Sequence, residues 1–169
     1  MYPNCPYDPT TTEFPDDGRC PVTKGTLYGW QHATYGPWVV KVVKFLDAVA
    51  YAAGQSCEAA SLGSAGGASV TNDRSGGSSL GNIAKGGGLA LMVNTTAKVG
   101  FVLVQGYYPT IKTSGADDIA VGESLILHSS TDGACDGVAA GSTTTASFGT
   151  AQIVDVDAND TVGGIVNFL

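Results

Sequence analysis

His128 closes a run of apolar residues and is followed by Ser129, Ser130 and Asp132, the side-chain types of a serine-nucleophile triad. A triad needs its base held by an orienting group, an oxyanion hole and a nucleophile on a strained turn, and the chain has no GxSxG elbow. The segment therefore reads as a polar strand end. Asp155-Val-Asp-Ala-Asn-Asp160 places oxygen ligands at alternate positions, as a calcium loop does. Asp160 stands where that loop turns on glycine, and Val166 where it needs a bidentate glutamate, so a hairpin turn is expected instead. Asp117 and Asp118 are adjacent and would point apart on extended backbone. Gly86-Gly-Gly88 is not followed by Lys-Ser/Thr and cannot cradle a phosphate as a Walker loop does. Cys5, Cys20, Cys57 and Cys135 form no CxxC pair and do not combine with histidine at zinc-finger spacing. No catalytic residue, metal ligand or cofactor is expected.

The elements that carry these residues read as β. The stretch 38–45 is β-branched and punctuated by lysines, and six of its eight residues favour strand over the competing helix. Further strands are predicted at 89–93, 100–106, 108–113, 123–128, 148–154 and 161–168. Turn-rich stretches fall at 63–67, 72–77, 86–88, 131–137 and 155–160. Short strands at intervals of about ten residues, without helical periods between them, indicate an all-β sandwich or barrel. An internal echo is present: 53–56 reads like 121–124, 88–93 like 149–154, and 99–104 like 162–167. The order matches while the spacings drift, which suggests two similar half-barrels.

Five of the seven prolines lie in the first 21 residues, and half of the aromatic residues in the first 38. Proline fixes φ and removes a donor, so this segment is expected to be an extended, surface-running arm over 1–37, ahead of a β domain over 38–169. Tyr2, Tyr7, Phe14, Tyr28, Trp30 and Tyr35 space apolar contacts along it. Such an arm either docks on another surface or wraps its own domain, and docking is the expected role. His32 belongs with these aromatics and not with a metal. Cys5 and Cys20 lie in the same arm, each before a proline; a bridge between them would close a loop of about fifteen residues. It could form only after release from the reducing cytoplasm.

The net charge is −7, with charged residues at only 14%. Eight of the 15 acidic residues lie beyond Lys112, and none of the eight basic ones does. One part of the chain is thus strongly anionic and the other nearly neutral, which argues against nucleic-acid or anionic-membrane partners. The start lacks a basic and then apolar signal region, so synthesis in the cytoplasm without export is expected. The most apolar stretch, 38–53, is broken by Lys41, Lys44 and Asp47 and is too short to span a bilayer.

Three stretches resemble a group of small tailed-phage virion proteins of the capsid decoration (cement) or head-fibre type. They are Gly100-Phe-Val-Leu-Val-Gln-Gly-Tyr-Tyr-Pro-Thr110; Asp118-Ile-Ala-Val-Gly-Glu-Ser-Leu-Ile-Leu127 with Thr131-Asp-Gly-Ala134; and Phe148-Gly-Thr-Ala151 with Ala158-Asn-Asp-Thr-Val-Gly-Gly-Ile-Val-Asn-Phe168. The resemblance covers residues 70–169 and excludes the arm. It implies a structural, non-enzymatic virion protein on the outer capsid surface, bound to the major capsid protein and stabilising contacts between capsomers. A homo-oligomer, preferably a trimer, is expected there. The rival expectation is a head-fibre or adhesin-like module that binds host-surface carbohydrate, for which Tyr107-Tyr108 is the candidate aromatic pair of the β domain.

Overall fold

A computed structural model describes residues 1–46, 51–60, 68–73, 87–93, 98–115, 118–139, 147–153 and 160–169. Asp117, the segment 154–159, the turn-rich stretch 63–67, positions 74–77 and Gly86 lie outside the described residues, and Gly88, predicted within a turn, begins a strand. The chain is all-β, with eleven strands and no helix among the described residues. In chain order these are β1 (Phe14–Pro15), β2 (Leu27–His32), β3 (Gly36–Phe45), β4 (Ser56–Ala59), β5 (Ser69–Thr71) and β6 (Gly88–Ala90). Then follow β7 (Lys98–Lys112), β8 (Ser124–Leu127), β9 (Cys135–Val138), β10 (Gly149–Ala151) and β11 (Thr161–Asn167). All belong to one mixed sheet, in which β3 and β5 run parallel and the other strand pairs antiparallel.

β7 is the spine. Its first half pairs with β3 (Lys44↔Val99 to Val39↔Gln105) and its second with β11 (Gln105↔Asn167 to Lys112↔Thr161). The sequence breaks this strand in two at Gly106-Tyr107; the structure runs it through, with Gly106 at φ 136 as the bend. Only glycine fits there, because a Cβ would meet the Trp38 ring at 2.7 Å as well.

The pairings close on themselves twice. From β3 the path runs to β5, β4, β6 and β7 and returns to β3. From the second half of β7 it runs through β11, β10, β8 and β9, and an isolated parallel bridge, Thr113↔Cys135, returns it to the end of β7. The internal echo follows this repetition: Ser56↔Leu89 and Cys57↔Gly88 join β4 to β6, as Ser124↔Thr150 and Leu125↔Gly149 join β8 to β10. Ahead of β4 and β8 the turns match bond for bond. Gln55 N donates to Ala52 O and Glu123 N to Ala120 O, both at 3.2 Å. Gly54 N donates to Ala90 O (2.8 Å) and Gly122 N to Ala151 O (2.9 Å). The side-chain oxygens of Gln55 and Glu123 each accept from the N–H three residues back, Ala52 and Ala120, at 3.0 Å. Gly54 and Gly122 sit at φ 84 and 90, where the third residue of a type II turn needs glycine.

The core is one continuous cluster. Phe45, Tyr51, Leu89, Phe101 and Leu103 fill its first half; Ile111, Ile119, Leu125, Leu127, Phe148 and Phe168 fill the second. Each is worth about 1.5–3 kcal/mol of burial. The buried Tyr51 hydroxyl donates to Val70 O at 3.1 Å.

The N-terminal segment is laid on this core. Phe14 and Pro15 pair with Val99 and Lys98 at one edge of β7. Cys5 N donates to Gly29 O and Gly29 N to Pro3 O, both at 2.8 Å, which covers part of the outer edge of β2. Asp16 pairs with Lys24 and with Lys44 of β3, each at 2.7 Å. Strand structure therefore begins well before residue 38: β2 and β3 form a hairpin, and the stretch 131–137, predicted as turn, contributes β9.

Candidate functional site

The β2–β3 hairpin closes through Ala33-Thr34-Tyr35, with Gly36 at φ 82, the left-handed residue that three-residue hairpin loops require. The hairpin sets Trp30 directly opposite Trp38 and His32 opposite Gly36. His32 Nδ1 accepts from the backbone N–H of Thr34 (3.0 Å) and Tyr35 (3.1 Å), so the neutral ring carries its proton on Nε2. The imidazole thus caps the turn and fixes Tyr35 over itself, stacked with centroids 4.4 Å apart. His32 also lies 5.5 Å from the Trp30 ring and 4.6 Å from Trp38.

β7 completes the group. Trp38 is buried and its Nε1 donates to Tyr107 O at 2.9 Å. Tyr107 reaches Tyr35 at 5.8 Å and Tyr108 reaches Trp38 at 5.9 Å. Burial pushes the Tyr108 hydroxyl pKa up, with Tyr35 nearby acting in the same direction and Thr110 partly opposing it by a hydrogen bond. Trp30, His32, Tyr35 and Tyr107 are half-buried, so their rings form a surface with fixed geometry. The two segments that build it, 29–38 and 105–110, contain no charged residue. Such a surface can stack a planar or apolar partner group and has little charge to desolvate.

The six arm aromatics separate into two sets. Trp30 and Tyr35 enter this surface. Tyr7 stacks edge-on against Phe14 at 5.0 Å, and Phe14 against Phe101 of the core at 6.4 Å, so these two fasten the N-terminal segment to β7. Tyr28 is half-buried against the core and Tyr2 is exposed beside Gly29. Sequence reasoning grouped His32 with the aromatics but did not join it to Trp38 and Tyr107. The available signal was the turn around Thr34, with His32 and Gly36 two residues away on either side and Trp30 and Trp38 four residues away.

Cys5 and Cys20 both stand as free thiols. Cys20 Sγ donates to Val22 O at 3.3 Å, and burial raises the Cys5 pKa. Each packs against the core. At His128, Nδ1 accepts from Ser130 N (3.2 Å) and Thr131 N (2.9 Å), which repeats the cap made by His32 and orients the ring toward its own turn. Among the described residues no three His, Cys, Asp or Glu side chains gather as metal ligands, and no helix is long and apolar enough to cross a membrane.

No protein-family model matches the chain, and no curated protein or solved structure is significantly similar to it.

Proposed function

We propose that this chain is a structural virion protein that binds the outer surface of a phage capsid, on the major capsid protein, and cements neighbouring capsomers. The observation that carries this reading is the half-buried aromatic surface of Trp30, His32, Tyr35 and Tyr107. It is rigid and uncharged, and it lies in the nearly neutral part of a chain whose segment beyond Lys112 carries eight acidic residues and no basic one. A cement subunit needs one face that can bury apolar contact and another that stays in solvent. The charge distribution fits that division.

On this reading the two pairing circuits are small β-barrels that share β7, a stiff body for a subunit under load. The subunits would gather as homo-oligomers, preferably trimers, at local symmetry axes, where repeated weak contacts add at high effective concentration. The contact residues proposed are Trp30, Tyr35 and Tyr107, while Tyr7 and Phe14 hold the N-terminal segment in place.

The test is co-sedimentation with empty capsids of the encoding phage. Tyr35→Ala and Tyr107→Ala should each weaken binding by about 30-fold, the loss of a central interface aromatic worth ~2 kcal/mol, while thermal stability changes little. Unchanged capsid occupancy by the double variant would refute the assignment. Retention of a host-surface glycan by the unaltered chain, lost in the same variants, would transfer the site to an adhesin-like role.

A further inference from the structure

The two pairing circuits place two sheet faces in correspondence. In the first circuit Val40 of β3, Leu103 of β7, Leu89 of β6 and Ser56 of β4 stand side by side. In the second, the matching row is Tyr107 of β7, Ile165 of β11, Thr150 of β10 and Ser124 of β8. Residues directly opposite one another on antiparallel strands share a face, so each row lies on one face of its sheet. Four residues before Leu103, Val99 pairs with Lys44; four residues before Ile165, Thr161 pairs with Lys112. Gly163 likewise precedes Ile165 by two residues, as Phe101 precedes Leu103.

The first face is covered by the chain's own N-terminal segment. Phe14 lies edge-on to Phe101 at 6.4 Å, Tyr7 lies against Phe14 at 5.0 Å, and Asp16 pairs with Lys44 at 2.7 Å. Val40, Leu103, Leu89 and Ser56 are all fully buried.

The second face is open. Ile165 is 49% exposed where its counterpart Leu103 is buried, and Tyr107, Thr150 and Ser124 are half-buried. A Cβ on Gly163 would meet the Tyr107 hydroxyl at 2.9 Å and Ile153 Cδ1 at 3.0 Å, so these two side chains flank the glycine. Ile153 is itself 53% exposed. Tyr107, Thr150, Ile153 and Ile165 carry no charge, and Lys112, the counterpart of Lys44, already donates to Asp132 O at 2.9 Å. An exposed apolar patch of this kind marks a contact surface.

We propose that the outer face of Tyr107, Thr150, Ile153 and Ile165 receives an extended, uncharged partner segment that lays an aromatic ring on the sheet, as residues 7–16 do on the first face. The occupant of the corresponding face carries the argument. It is a chain stiffened by Pro9 and Pro15, which lowers the cost of ordering, and its Phe14 ring supplies the apolar contact. Charge decides against an acidic occupant, because the chain beyond Lys112 holds eight acidic residues and no basic one. The face meets the aromatic surface at Tyr107, so one partner can cover both. The proposal rests on the reading of that surface as partner-facing, and it names what the partner must present.

The probe is a capped synthetic peptide copying residues 9–15, with Glu13→Gln so that it is uncharged. It is titrated into the intact isotope-labelled protein and followed by amide chemical shifts. The expected result is saturable shifts centred on residues 107, 150, 153 and 163–165. They should be absent with a Phe14→Ala peptide and weakened at least tenfold in the Ile153→Thr/Ile165→Thr protein. Both positions are exposed and threonine keeps the β-branch, so the fold is retained. No saturable shift at millimolar peptide, or equal binding by the double variant, would overturn the proposal. So would shifts centred on Val99 and Phe101, which would mean that the peptide only displaces the chain's own segment. No capsid enters this measurement, so its failure is distinct from a failure of capsid binding by the unaltered chain.

Discussion

Gly54 and Gly122 occupy equivalent turns at nearly the same φ, 84 and 90, but in different surroundings. Replacing each by alanine separates conformational strain from close approach. At Gly122 the added Cβ meets nothing within 4 Å, so only the left-handed backbone penalty applies, about 1–2 kcal/mol. At Gly54 the same penalty applies, and the Cβ would also stand 2.1 Å from Thr110 O and 3.2 Å from its carbon. That oxygen belongs to β7, which cannot retreat because its neighbours Tyr108 and Ile111 are paired to Gly164 and Val162 of β11. Relieving the overlap should cost a further ~1–3 kcal/mol, the usual range for overpacking. In a chain of this size each kcal/mol moves Tm by about 2–4 °C, so Gly54→Ala should melt roughly 2–12 °C below Gly122→Ala. Thermal scans and urea titrations with a common m value measure it. Equal losses, or a larger loss at Gly122, would refute the claim that Gly54 alone of the two is pressed against a strand backbone at its Cα.

Phe14→Ala should destabilise the chain by about 1–3 kcal/mol, since it removes the ring that ties Tyr7 to Phe101, and should leave capsid affinity unchanged in binding assays corrected for folded fraction. His32→Ala should cost about 1 kcal/mol by uncapping the hairpin loop, whereas His32→Asn, whose side-chain oxygen can accept from the same amides, should recover most of it in urea denaturation. The Asp16 carboxyl is held below the ordinary range, first by its hydrogen bond to Lys24 and then by that to Lys44. Its folded pKa is depressed, so its contribution is present above the unfolded carboxylate pKa, about 3.9, and is lost as pH falls through the folded value. Asp16→Asn should remove that part of the acid sensitivity and cost no more than ~1 kcal/mol at neutral pH and low salt.

The regular part of the fold was legible because β-branched runs are themselves the signal. β3, β8 and β11 fall where Val-, Leu- and Ile-rich stretches stand between turn residues. β9 was not, because Cys135-Asp-Gly-Val138 has turn composition and is a strand only through its ladder to β8, from Ser124↔Val138 to Leu127↔Cys135. The N-terminal segment is legible only in part, for a related reason. Proline and spaced aromatics show that a chain is stiff and sticky, but not whose surface it meets. Phe14 meets Phe101 of its own core, and Leu27–His32 pair with β3. Three of the four rings of the aromatic site were visible as composition, Trp30 and Tyr35 with His32 between them. The fourth, Tyr107, is far away in sequence and arrives only through the β3–β7 pairing. The repeat was visible because its glycines and the residues beside them keep the same order. What the drifting spacings hid is that β7 closes one circuit and opens the next.

The central claim, the proposal that the aromatic surface of the β2–β3 hairpin and β7 faces a capsid, is tested most directly by cryo-electron microscopy of mature particles of the phage that the proposal requires to encode this chain. The account predicts density for this chain on the outer shell, with Trp30, Tyr35 and Tyr107 against the major capsid protein and the acidic residues beyond Lys112 turned to solvent. Density in which these three side chains point into solvent, or particles that lack the chain altogether, would contradict it.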